Sequence, residues 1–263
     1  MRALLMLALF SFVQERPRAP MPDQLEESRR HQEWVDVKRG ERTIRAFVVY
    51  PEAKGKVASV LVIHENKGLT DWVRGVADQL AEAGYVAVAP DLLSGKGPDG
   101  GNTDAFESVD AATKAIYALD SNDVLADLDA VADFAAGLPA ADGRLFVAGF
   151  CYGGSRTFDF ATHRPGLAGA FVFYGGPPED DAALAKIDCT VHGFYGESDS
   201  RITQTVEKTR AAMKEHGKTY DPVIYDGAGH GFMRTGEDPE APEADREARE
   251  EAWARWRSLL GAD

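Results

Sequence analysis

At Gly149-Phe150-Cys151-Tyr152-Gly153 the chain sets a cysteine at the centre of a Gly-x-Cys-x-Gly turn. A side chain at that point of a strand-to-helix turn sits on strained backbone, and flanking glycines remove the Cβ atoms that would collide there. The thiol is thereby lifted above the C-terminal edge of a parallel sheet. With 26 glycines in the chain the five-residue pattern alone constrains little, and a small buried thiol at a strand end is the plain alternative. Its context adds weight. Arg144–Gly149 reads as a short buried strand, and Ser155–His163 as a helix stopped by Arg164-Pro165-Gly166.

A thiol nucleophile needs a base and a group that orients the base. Of six histidines, His31 precedes the first clear strand and His192 lies inside one. His163 and His216 close helices, where imidazolium complements the dipole. His64 ends a strand. His230, in Asp226-Gly-Ala-Gly-His-Gly-Phe232, follows the strand Pro222–Tyr225 on a glycine loop and is the candidate base. The acid should leave the strand between nucleophile and base, where Gly196 is followed by Glu197 and Asp199. Asp199 is preferred, being further past the turn; Glu197 and then Asp226 are the alternatives. The order Cys151, Asp199, His230 is the nucleophile–acid–base order of α/β-hydrolases.

These residues, taken with Val62-Ile-His-Glu-Asn-Lys-Gly-Leu69, Ala89-Pro-Asp-Leu-Leu93, Gly196-Glu-Ser-Asp199 and Gly229-His-Gly-Phe232, make the chain resemble the dienelactone hydrolase family from about Trp34 to Leu260. The resemblance implies an α/β-hydrolase fold and a Cys-Asp-His triad. It also implies a role for Glu65, which matches a family glutamate that takes the proton of a resting thiol when substrate binds. A carboxylate whose pKa is raised by burial can serve as base for a thiol near neutral pH. Arg234, four residues after His230, matches a position whose arginine grips a substrate carboxylate, a pairing that suits the guanidinium fork. A second cation, expected after Pro90-Asp91-Leu92, is represented only by Lys96. That departure bears on the substrate. Acyl transfer further requires two N–H donors for the developing oxyanion; this architecture assigns them to the backbone of Tyr152 and Asn66.

Elsewhere short apolar strands alternate with helical segments, as in a mostly parallel sheet covered on both faces. Strands are expected at Thr43–Tyr50, Ser59–Ile63, Val86–Ala89, Leu145–Ala148, Ala168–Tyr174, Thr190–Tyr195 and Pro222–Tyr225. Helices are expected at Trp72–Ala83, Asp104–Leu119, Val124–Ala136, Thr203–His216 and near Ala244–Leu260. Val35–Lys38 and Thr43–Tyr50 alternate polar and apolar residues like an antiparallel edge hairpin. The glycine-rich loop Leu93–Thr103 is expected at the mouth of the site. Cys189 reads as a buried strand thiol. A length of 263 residues with 44% hydrophobic content suits one α/β domain, assigned to residues 26–263.

The net charge of −14 disfavours nucleic acid, and the acidic run Glu237–Glu251 reads as a solvated surface. His64-Glu65 lacks the second histidine of a zinc motif, so neither metal nor organic cofactor is expected. Residues 1–25 contain Arg2 and the apolar run Ala3–Val13, the pattern of a secretory leader too short to span a bilayer. That favours export slightly over the cytoplasm, although a working thiol suits a reducing compartment. Monomer or small homo-oligomer are both compatible with the chain. The function expected is hydrolysis of a small, dienelactone-like ester or lactone through a Cys-Asp-His triad and a thioester acyl-enzyme. A carboxylesterase or thioesterase acting on another acyl group is the alternative, and a non-catalytic binding or sensor protein a more distant one.

Overall fold

The computed structural model describes residues 25–261; the leader segment assigned to 1–25 lies outside them except for Leu25. Eight strands form one sheet in the order β1-β2-β4-β3-β5-β6-β7-β8. They are β1 (Gln32–Arg39), β2 (Arg42–Val49), β3 (Val57–Ile63), β4 (Val86–Pro90), β5 (Ala141–Phe150), β6 (Gly169–Phe173), β7 (Val191–Gly196) and β8 (Tyr220–Tyr225). The expected edge hairpin is present: β1 pairs antiparallel with β2, and β2 antiparallel with β4. Every other pairing is parallel. The central strands read as continuous apolar runs because helices cover both their faces.

On one face α3 (Ser121–Gly137) and α4 (Tyr152–His163) bury Val124, Leu128, Val131, Phe158 and Ala161. On the other, α1 (Asp71–Glu82) and α8 (Glu243–Leu260) bury Trp72, Val76, Leu80, Ala252 and Trp256. Beneath the C-terminal edge an aromatic ladder crosses three strands. Phe150 stacks on Phe173 at 4.7 Å, Phe173 stacks on Phe194 at 4.2 Å, and the Trp256 ring meets Phe173 edge-on at 4.8 Å. Aromatic pairs at such distances add specific attraction to the large apolar area they bury.

The remaining helices are α2 (Val109–Tyr117), α5 (Ser200–Thr203), α6 (Val206–Glu215) and α7 (Phe232–Thr235). Four expectations change. The helix expected from Asp104 begins at Val109, because the Ser108 hydroxyl caps it by accepting from Ala111 N–H at 3.2 Å. Upstream, Thr103 is held instead by Asp91, to which its backbone N–H and hydroxyl both donate. The helix expected over Thr203–His216 is broken in two, with the Thr203 hydroxyl donating to the Gly196 carbonyl at 2.7 Å and pinning the first piece to β7. The helix after the thiol starts at Tyr152 and not Ser155, so Gly153 and Gly154 are helical. Cys189 lies in a bend two residues before β7 and not in a strand; burial pushes its thiol up to about 11.

Gly149 and Gly153 explain why the thiol turn needs glycine. A Cβ on Gly149 would stand 2.2 Å from the Gly153 carbonyl oxygen, and one on Gly153 2.2 Å from the Ile63 carbonyl oxygen. Strand β3, strand β5 and the first turn of α4 therefore meet backbone to backbone. By contrast Gly84, Gly143 and Gly217, at the opposite edge, have positive φ but open space where a Cβ would be. Gly153→Ala should consequently cost about 2–3 kcal/mol, read as a lowered urea midpoint with an unchanged slope.

Candidate active site

Each parallel strand delivers residues to the same C-terminal edge, where open α/β sheets place their ligands. From β5 the chain enters the turn at Cys151, whose φ of 56° and ψ of −113° are unusual for a residue with a Cβ. The turn is held by Cys151 N–H donating to the Phe173 carbonyl at 3.0 Å and by Ser155 N–H donating to the Cys151 carbonyl at 3.2 Å. Tyr152 opens α4, so its N–H belongs to the first turn, which has no intrahelical acceptors. Asn66 lies beyond the end of β3 in the loop that faces this turn.

From β7 and β8 come the acid and the base. His230 Nδ1 lies 2.5 Å from Asp199 Oδ2; the Asp199 side chain is 7% exposed and that of His230 32%. Hydrogen bonding to Cys151 holds the His230 imidazole above its ordinary pKa of 6.5, opposed by burial and reinforced by Asp199. The two loops are also laced by backbone: Ser198 N–H donates to the Ala228 carbonyl at 2.9 Å. Glu197 turns outward and accepts from Gly227 N–H at 2.9 Å, while Asp226 is exposed. Of the three carboxylates weighed from sequence, Asp199 is the one that meets the imidazole.

Glu65 is buried and forms an ion pair with Arg234, its Oε2 2.8 Å from the arginine Nε. Arg234 stands on α7 directly after Gly231, whose backbone is left-handed with φ 81°. His64, next to Glu65, is a strap. Its Nε2 accepts from Leu92 N–H at 3.2 Å and its Nδ1 contacts the Glu65 carbonyl at 2.7 Å, a geometry that fits a neutral ring donating from Nδ1. Burial lowers its pKa, which agrees with neutrality. Lys96 does not approach Cys151: it is exposed and lines a separate cleft with Arg42, Arg45 and Asn102.

Three features of the site have no counterpart in the sequence reading. Tyr174, at the end of β6, has φ 40°, packs its ring 5.1 Å from that of His230, and keeps its hydroxyl buried with no hydrogen-bond partner. Burial, with Glu65 nearby, pushes that phenol well above its ordinary range. Its position right after a central strand was the available signal. Second, Arg156 and Arg201 line the cleft of about 260 Å³ that contains Cys151, Tyr152 and Tyr174. Third, the acidic run is not wholly solvated. Asp245 is 8% exposed and accepts from Gly229 N–H at 2.7 Å and from the Thr235 hydroxyl at 2.8 Å, shaping the His230 loop from α8. Among the described residues no cluster of side chains is suited to a metal ion.

Residues 44–262 match the model of the dienelactone hydrolase family. A Methylorubrum extorquens protein named "Putative carboxymethylenebutenolidase" is 32% identical over 200 residues, covering 72% of this chain and 68% of that one. A Saccharolobus solfataricus protein of the same name is 30% identical over 247 residues, covering 82% and 93%. Among solved structures, a crystal structure described as a "Putative Dienelactone Hydrolase" from Klebsiella pneumoniae superposes with a TM-score of 0.77 at 27% identity, over 88% of this chain and 98% of the other. Sequence and architecture agree over most of the length, and the chain belongs to the dienelactone hydrolase family.

Proposed function

We propose that this protein hydrolyses a small carboxylate-bearing ester or lactone through a thioester formed on Cys151. The observation that carries the reading is the 2.5 Å contact of His230 Nδ1 with Asp199 Oδ2, on an imidazole whose pKa is raised by hydrogen bonding to Cys151 and, against burial, by Asp199. A cleft of about 260 Å³ at that thiol suits a small acyl compound, being below the range of about 300–1,000 Å³ common for drug-sized ligands.

The steps follow from the groups present. The Cys151 proton passes to Glu65 or to His230 Nε2, and the thiolate attacks the substrate carbonyl. Negative charge on the carbonyl oxygen is met by the N–H groups of Tyr152 and Asn66. The tetrahedral adduct collapses, the C–O bond breaks, and the leaving oxygen takes up the proton. A water then gives its proton to neutral His230, held in orientation by Asp199, and attacks the thioester; the second collapse frees the acid and restores the thiol. The 32% exposure of the His230 side chain leaves that ring open to water.

The ion pair of Glu65 with Arg234 bears on the first step. While Arg234 Nε holds Glu65 at 2.8 Å, the carboxylate is committed to the guanidinium. A substrate oxygen that accepts from Arg234 competes for the same guanidinium and releases Glu65 toward the sulfur, so thiolate forms as substrate arrives.

Cys151→Ala should lower ester turnover by about a thousandfold or more. Mass spectrometry of wild type quenched with a slow ester should locate the acyl group on Cys151; full activity in the alanine variant, or an adduct elsewhere, would refute the assignment. The raised His230 pKa sets the pH profile. That raised value belongs to the free enzyme, whose neutral ring must take the thiol proton, so the acid limb of kcat/KM should lie above pH 6.5, whereas in the thioester Cys151 no longer supports the imidazolium. The imidazolium's contribution to stability has the opposite sense, present at low pH and lost as pH rises through the raised value. Asp199→Asn should move the limb downward and cut kcat on the order of 10³-fold, measured across a buffer series.

A further inference from the structure

The arginines of this region are differently committed. Arg234 is paired with Glu65. Arg201, on α5 two residues after Asp199, lines the cleft that contains Cys151 and is exposed. Among the described residues its guanidinium has neither an ion pair nor a hydrogen bond; only its backbone carbonyl is used, accepting from Gln204 Nε2 at 3.2 Å. Arg156, in the same cleft, is partly committed. It donates from Nη1 to the Ser121 hydroxyl at 2.9 Å, pairs from Nη2 with Asp159 at 2.9 Å, and lies 5.4 Å over the Tyr152 ring. Its Nε is buried without a hydrogen-bond partner.

A chain of net charge −14 repels anions at a distance, so a carboxylate at the thiol needs a local counter-charge. An uncommitted guanidinium supplies one and matches a carboxylate with two parallel N–H donors. Lys96 cannot do this from its separate cleft. We propose that Arg201 binds a carboxylate of the substrate within the Cys151 cleft, with Arg156 forming the wall beside it, and so selects anionic over neutral acyl compounds. This rests on the ester-hydrolase reading for its substrate class, but the anion site itself can be read without turnover.

Two probe pairs test it. One compares hydrolysis of para-acetoxybenzoate with that of its methyl ester. The other compares alkylation of Cys151 by iodoacetate and by iodoacetamide, in which sulfur displaces iodide, with the adduct located by mass spectrometry. Cys189, pushed up to about 11, stays largely protonated and reacts slowly. Arg201→Gln should lower the anionic-to-neutral ratio at least about tenfold in both assays, while Arg201→Lys retains part of the preference. Melting curves confirm that each variant is folded. If both esters turn over and the ratios of Arg201→Gln equal those of wild type, the Arg201 assignment falls and the hydrolase reading stands. If neither ester turns over but the variant still loses its preference for iodoacetate, the anion site stands and the hydrolase reading falls.

Discussion

The backbone contact between the first turn of α4 and the ends of β3 and β5 is the constraint on which the site depends. It is close enough that neither Gly149 nor Gly153 has room for a methyl group. Holding α4 at that distance leaves Cys151 in a left-handed conformation that an ordinary residue avoids, and the cost is met by packing below. The ladder of Phe150, Phe173, Phe194 and Trp256 is that packing. The thiol is thus fixed by the core of the sheet and not by a loop.

Acid and base are fixed differently. Asp199 and His230 stand on loops, and loops need external ties. One tie is the pair of loops itself, through Ser198 and Ala228. Another is Thr203 on Gly196, and a third is Asp245 reaching from α8 to Gly229. Local hydrogen bonds thereby confer on two loops some of the rigidity that strands give Cys151.

How far the sequence disclosed this follows from the range of each interaction. The sheet, its edge hairpin and most helices were legible because burial imposes a period on neighbouring residues. Helix ends were less legible. Ser108 as a cap and Thr203 as a pin act through single hydrogen bonds, and Gly153-Gly154 looks like a loop until its neighbours are known. The order of Cys151, Asp199 and His230 along the chain was readable, since each follows its own strand. Partners distant in sequence were not. Glu65 and Arg234 are 169 residues apart, and Asp245 looked like one more charge in an acidic stretch. Nor does the segment after β4 reveal that Lys96 lines another cleft, or that Arg156 and Arg201 line the one containing the thiol.

The two edges of the sheet use glycine for opposite reasons. At the upper edge a methyl group would strike backbone, whereas at Gly84, Gly143 and Gly217 it would strike nothing. Asparagine, which tolerates a φ near +60°, could replace Gly217 at φ 67° for a small energetic cost, whereas Gly84 and Gly143, at 98° and 94°, keep their glycine for conformation alone. The underside is accordingly the evolvable and engineerable half of the molecule: tags, surface tethers or inserted peptides attached there would leave the chemistry above them undisturbed.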